Sequence, residues 1–283
     1  MSELRSGKAE ILPYSLSRWT DLPAAKWEWF SQRLDDGWFL GFDPRTALPA
    51  KWSLKPEDTL GLVFWTREPT NLIADADRLK DFPLVIHFTL TGWHEVEKGA
   101  PDLERGLFLL DRLVSTFGPD KVIWRFSPIP LVDDAVERFQ RIAEVAEGLG
   151  LKEVFVSFLQ TNDLMIETRH SRVRSEMVKQ MASKTGIKVL VCNEDTTTAT
   201  GGPPNLAHGV CEDGTRFTHP NWGPTPKLAG VNIPPVEGCG CALAVEPFTI
   251  NETCVFGCSY CYAADKSLAP KKHNTTRRRL PIV

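Results

Sequence analysis

The chain has 283 residues, of which 42% are hydrophobic and 24% charged, with a formal net charge of −3. That balance belongs to a core-forming globular protein and excludes a disordered or fibrous chain and a strongly basic nucleic-acid-binding domain. The first ten residues are polar, and no apolar stretch approaches the roughly 20 residues needed to cross a bilayer, so a cytoplasmic protein without a secretory leader or membrane contact is expected. In that compartment its seven cysteines stay reduced, and clustered thiols there bind metal or do redox chemistry more often than they form disulfides.

Up to residue 192, short β-branched and aromatic runs alternate with amphipathic stretches, the pattern of βα units feeding a parallel sheet. The first strand is expected at 11–16. The stretch "WFLGFDPRTALPAKWSL" then reads as a hairpin inserted before a second strand at 60–65. Further strands are expected at 83–90, 121–126, 153–158 and 188–193. Helices are expected at 133–149, with Val136, Phe139, Ala143 and Ala146 on one face behind a cap at Asp133, and at 171–185, with Val173, Met177 and Met181 on one face. The predicted fold class is α/β: a partial (βα)6 TIM-like barrel over residues 1–193, followed by an irregular cysteine-rich region over 194–283. Residues 195–238 are rich in Pro, Gly and Thr and have no helical or strand period. Iron–sulfur clusters, rather than apolar burial, are expected to order this region and pack it over the barrel mouth.

"TCVFGCSYCYA" brings Cys254, Cys258 and Cys261 together at C-x3-C-x2-C spacing. Such a triplet can ligate three irons of a [4Fe–4S] cube and leave the fourth open. Structural zinc, the competing reading, usually takes four ligands in two separated pairs.

With an aromatic residue before its last cysteine, the triplet resembles the cluster signature of radical S-adenosylmethionine (radical SAM) enzymes. The stretches "SLSRWTDLPA", "SLKPED", "LVFWTREP", "FTLTGW", "GPDKVIWRFSPI", "VSFL", "HGVC", "CGCA" and "TCVFGCSYCYA", in this order, resemble the family DUF1848. The resemblance implies a reduced [4Fe–4S] cluster at the triplet that cleaves S-adenosylmethionine to a 5′-deoxyadenosyl radical. It also implies an external electron donor of the flavodoxin or ferredoxin kind and a small-molecule substrate. In radical SAM enzymes the triplet normally follows the first strand. Here it follows the sixth, so the cluster has to fold back over the strand ends.

Cys192, Cys211, Cys239 and Cys241 remain, and four thiols suffice for an auxiliary [4Fe–4S] cluster. Full ligation makes that cluster an electron relay. A free Cys192 would instead open one iron to substrate or sulfur insertion, and Cys192 can also be read as a small buried hydrophobe. Ligand-binding residues of a barrel lie at the carboxyl ends of its strands, which places Arg18, Thr66, Arg125, Ser157 and Glu194 at the S-adenosylmethionine site. Two guanidinium groups and a carboxylate suit a zwitterion, although Arg18, Arg125 and Glu194 could equally form an internal ion network. His208 is a candidate ligand or a histidine satisfied by loop carbonyls. The basic run in "KKHNTTRRRLPIV" reads as a solvated tail. Two other functions stay open: an iron–sulfur electron-transfer or structural protein without S-adenosylmethionine chemistry, and nucleic-acid repair, for which only the basic tail speaks.

Overall fold

The computed structural model describes residues 12–17, 20–44, 46, 48–159, 164–192, 201–211, 213, 216–219, 223–224, 241, 244–247 and 254–261. In chain order, β1 (Tyr14–Ser15) leads into helices α1 (Leu22–Ala25) and α2 (Trp27–Asp36), then the hairpin of β2 (Trp38–Phe42) and β3 (Pro49–Ser53). Next come β4 (Leu62–Thr66), α3 (Thr70–Ala74), α4 (Ala76–Leu79), β5 (Leu84–Thr89), α5 (Leu103–Phe117) and β6 (Val122–Ile129). After these follow α6 (Ala135–Gly148), β7 (Glu153–Phe158), α7 (Leu164–Ser183), β8 (Lys188–Val191) and β9 (Leu206–His208). Two short pieces, β10 (Thr218–His219) and β11 (Gly223–Pro224), pair antiparallel, and β12 (Glu246–Pro247) joins the hairpin beside β2.

The main sheet has seven strands in the order β1-β4-β5-β6-β7-β8-β9, and every neighbouring pair is parallel. All six predicted strands lie in it. Alternation along each strand sends Phe64, Ile86, Phe88, Trp124, Phe126, Val154 and Val156 to one face, where they pack with Phe30, Leu72, Leu110, Leu113, Phe139, Ile142, Val178 and Met181 of the helices. On the other face, Val63, Val85, Ile123, Phe155 and Leu190 form a second cluster with Leu60, Phe217 and Cys192, and no helix contributes to it. The described helices therefore cover a single face. At Gly61 a β-carbon would lie 2.2 Å from the Phe217 ring, so the glycine lets this ring close the second cluster beside the start of β4.

Three details differ from the sequence expectation. β9 adds a seventh parallel strand from "LAH", a three-residue run between Pro204 and Gly209 that is too short to show a period. α6 starts at Ala135, two residues later than expected, behind Asp134 in place of Asp133, and the Asp134 carboxylate pairs with Arg138 at 2.6 Å instead of capping the helix. On α7 the buried face is rotated: Val173 is 48% exposed, whereas Arg174, Val178, Met181 and Ala182 are buried. The Arg174 guanidinium lies 5.5 Å from the centre of the Phe158 ring, so an aliphatic stem and a cation fill a place that periodicity assigns to an apolar residue.

The chain also returns to the sheet after the irregular region. Val245 donates to Pro13 O at 3.0 Å and accepts from Ser15 N at 2.9 Å, which covers the outer edge of β1, and β12 follows it directly. Residues 206–208 and 245–247, assigned from sequence to the C-terminal region, thus hydrogen-bond to strands of residues 1–193. Among the described residues no helix is long and apolar enough to cross a membrane.

Candidate functional site

Arg67 is the first residue after β4, and Glu97 sits in the loop after β5. Both are therefore at the carboxyl ends of parallel strands. The guanidinium grips the carboxylate with two hydrogen bonds of 2.8 Å, while Thr91 Oγ1 donates to the same carboxylate at 2.5 Å. Arg67 also donates to Tyr260 Oη at 2.7 Å, and the Tyr260 hydroxyl donates to Glu97. Only 3% of the Glu97 side chain and 13% of the Arg67 side chain are exposed, so this is a buried, fully hydrogen-bonded ion pair. Burial pushes the Tyr260 phenol far above the ordinary phenol range, so it stays protonated and acts as a donor.

Tyr260 lies between Cys258 and Cys261, so the ion pair anchors the cysteine triplet. The backbone adds two ties: Gly99 N donates to Phe256 O at 3.1 Å, and Ser259 N donates to Val96 O at 3.0 Å. A β-carbon at Gly99 would lie 2.6 Å from the Phe256 carbonyl oxygen, so a glycine is required for the triplet loop to come this close. The loop tightens through Gly257 at φ 56 and a Cys261 N to Cys258 O hydrogen bond of 3.0 Å. Cys258 is buried, and Cys254 and Cys261 are half-buried. Burial pushes the Cys258 thiol up to about 11, with Arg67 acting in the opposite direction.

A second group of thiols lies farther along the sheet. Cys192 directly follows β8 and Cys211 follows β9. Cys211 Sγ is 3.5 Å from Cys192 Sγ and 3.4 Å from Cys241 Sγ. Hydrogen bonds from Cys192 and Cys241 hold the Cys211 thiol well below the usual thiol range. Burial opposes this shift, and the Arg125 charge reinforces it. None of the six described cysteines is in a disulfide. The described His, Cys, Asp and Glu side chains do not by themselves close a metal site of three or more ligands.

Arg125, Trp65 and His87 share the helix-free face with these thiols. The Trp65 and His87 rings stack at 4.2 Å and 10°, and the Arg125 guanidinium lies 4.5 Å from the Trp65 ring centre. His87 is completely buried, and its ring faces the Cys211 backbone without a hydrogen bond of ordinary geometry. Burial, and then the Arg125 charge, lower its pKa to about 3, so the imidazole is neutral at physiological pH. Trp65 Nε1, both His87 nitrogens and Arg125 Nη1 are buried with no partner among the described residues. Buried donors left in this state mark a place where an acceptor, such as a carboxylate, is wanted.

Of the residues expected from sequence, Arg125, Cys192, Cys211 and Cys241 come together, and Cys254, Cys258 and Cys261 lie in the docked loop. Ser157 shares a hydrogen bond with Ser127 at 2.5 Å. Thr66 turns to the helical side, where its hydroxyl donates to Asp21 at 2.8 Å. Asp21 also accepts from the backbone of Arg67 and Ala24, yet complete burial raises its pKa to about 6. His208 is exposed. Arg18, Glu194 and Cys239 lie outside the described residues. Sequence reasoning missed Arg67 and Glu97 as anchors of the triplet. The available signal was the position of Arg67, one residue beyond the strand-end pair Trp65 and Thr66.

A parallel α/β sheet with helices on one face and two groups of thiols beyond the carboxyl ends of its strands defines a cysteine-rich α/β protein. The model of the family described as "Domain of unknown function (DUF1848)" matches residues 14–263, and the chain belongs to that family. The match takes in both thiol groups and stops before the basic tail. No curated protein and no solved structure matches the chain.

Proposed function

We propose that the protein is a radical SAM-type enzyme whose [4Fe–4S] cluster is held by Cys254, Cys258 and Cys261. The observation that carries this reading is the docking of the triplet loop across the ends of β4 and β5 through Arg67, Glu97 and Tyr260. A triplet that arrives last in the chain is thereby brought to the strand ends, where parallel α/β sheets bind their ligands. The donor set fits the group: three soft thiolates, one buried and two partly open to solvent, suit iron and sulfide. When bound, such a cluster would supply an electron to the sulfonium of S-adenosylmethionine.

The chain's own residues supply binding and seclusion. Arg125, with an unpartnered N–H, takes a carboxylate, and Trp65 with neutral His87 gives a flat aromatic floor. Leu60 and Phe217 close the far end of this face against water. Electrons would come from an external flavodoxin- or ferredoxin-like donor, and the substrate would be a small molecule. The reading also requires a curled sheet, as in a partial barrel, with a chamber along the helix-free face. A flat seven-stranded sheet would hold β1 and β9 about 29 Å apart. Cys241, in contact with Cys211 just beyond β9, is only four residues from Val245 on β1, and four residues span at most about 14 Å.

The test is anaerobic reconstitution with iron and sulfide, then incubation with dithionite and S-adenosylmethionine and an assay for 5′-deoxyadenosine. Release of 5′-deoxyadenosine by the wild type, and none by a Cys254→Ala/Cys258→Ala/Cys261→Ala variant that has lost one cluster, is the expected result. Full iron content in that variant would overturn the assignment. A cluster whose spectrum ignores S-adenosylmethionine would favour an electron-transfer or structural role instead.

A further inference from the structure

Three side chains on the helix-free face leave polar atoms unused. Trp65 Nε1, Arg125 Nη1 and both His87 nitrogens are buried with no hydrogen-bond partner among the described residues. Such atoms are rare in folded proteins, and four around one ring point to a ligand that satisfies them. The His87 imidazole lies 4.2 Å, and the Arg125 guanidinium 4.5 Å, from the centre of the Trp65 ring. One small molecule making hydrogen bonds of about 2.9 Å therefore reaches both.

The kinds of atom define what that molecule carries. Trp65 Nε1 and Arg125 Nη1 only donate, so together they call for an acceptor with two oxygens, a carboxylate. The other guanidinium within electrostatic reach of His87, that of Arg216, is already paired with Glu153 at 2.6 Å, which leaves Arg125 for the ligand. His87 is completely buried, and an imidazolium there would stand beside the Arg125 charge, so the ring is neutral. A neutral imidazole has one bare nitrogen, and that nitrogen calls for a donor. We propose that this face reads an α-amino-acid group: Trp65 and Arg125 donate to its carboxylate, and His87 accepts a hydrogen bond from its ammonium. S-Adenosylmethionine carries this group, and so does any amino-acid substrate. Only the choice of S-adenosylmethionine as the source rests on the function proposed above.

Equilibrium dialysis of the reconstituted wild type, without reductant, separates the cases. The probes are S-adenosylmethionine, 5′-methylthioadenosine, which keeps the nucleoside but lacks the amino-acid group, and each of the common amino acids. S-Adenosylmethionine should bind at least about tenfold more tightly than 5′-methylthioadenosine. His87→Phe keeps a ring against Trp65 and removes the acceptor, so it should erase most of that difference and leave 5′-methylthioadenosine binding unchanged. An amino-acid group held elsewhere, for example by iron, would leave the difference intact in His87→Phe and overturn the proposal. If His87→Phe does not fold, Trp65→Phe, which keeps a ring and removes the indole N–H, decides in the same way. Binding of an amino acid that is lost in both His87→Phe and Arg125→Ala, with no binding of S-adenosylmethionine, supports the proposal and defeats S-adenosylmethionine as the ligand. His87-dependent binding of S-adenosylmethionine without release of 5′-deoxyadenosine once dithionite is added supports the proposal while defeating the radical chemistry. Binding of none of the probes overturns it.

Discussion

Replacing Glu97 by alanine removes the carboxylate that accepts two 2.8 Å hydrogen bonds from Arg67, one of 2.5 Å from Thr91 and one from Tyr260. The guanidinium left behind is 13% exposed and has lost its counter-charge, a defect that typically costs about 3–5 kcal/mol. Urea unfolding followed by tryptophan fluorescence should show a loss of that size. Hydrogen exchange should show why: the amide of Gly99, which bonds to the triplet loop, and that of Ser259, which bonds from the loop to Val96, should exchange much faster because Tyr260 has lost its acceptor. Iron retained at the triplet should fall in parallel. A double variant, Arg67→Met with Glu97→Leu, removes both charges and should recover most of the lost stability but not the docked Tyr260. As a control, Asp120→Ala breaks an exposed pair with Lys152 and should leave the unfolding midpoint unchanged. A loss below about 1 kcal/mol for Glu97→Ala, or unaltered exchange across 254–261, would refute the claim that this ion pair holds the loop.

Three other outcomes are expected. Arg125→Ala should weaken S-adenosylmethionine binding roughly tenfold or more, the usual effect of losing a charge-assisted contact, while iron at the triplet stays in place; unchanged affinity would assign Arg125 to structure alone. Asp21 has a folded pKa of about 6 against an ordinary value of 3.8, so the folded state holds its proton more tightly, and its stabilising contribution is complete below pH 4 and lost as the pH rises through 6. Across that window wild type should lose about 3 kcal/mol relative to Asp21→Asn, measured as the difference between their unfolding free energies at each pH; a flat difference would contradict this. Gly99→Ala forces a β-carbon to within 2.6 Å of the Phe256 carbonyl and should cost about 1–3 kcal/mol and loosen the triplet, whereas Gly148→Ala meets nothing within 4 Å and should be neutral or slightly stabilising; equal unfolding midpoints for the two variants would dismiss the close approach.

The strands of the sheet are legible because each is a run of β-branched and aromatic residues, buried on both faces in the middle of the sheet, and such runs persist whatever surrounds them. "LAH" is not legible, since three residues carry no period and only the neighbouring edge of β8 makes them a strand. On α7 the pattern misleads by one position because Arg174 buries its stem over Phe158 while Val173 faces solvent. The cysteines announce themselves by spacing, but what each group can hold depends on sulfur-to-sulfur distance, which sequence does not encode. The Arg67–Tyr260 contact joins residues 193 apart, and nothing periodic connects them. Arg67 reads from sequence as an ordinary charge after a strand, and only the returning loop gives it a task.

The hydrogen bonds between Val245 and β1 also set an order of events in synthesis. The strand that leaves the ribosome first is the one whose outer edge is covered last. Until residue 245 emerges, the Ser15 amide and Pro13 carbonyl face outward without this partner and can template pairing with another nascent chain. A fragment ending at residue 193 would expose two edges at once, β1 without Val245 and β8 without β9. Such a fragment should aggregate even though it contains every long strand. In this protein the late part of the chain is what covers the early part on its edges.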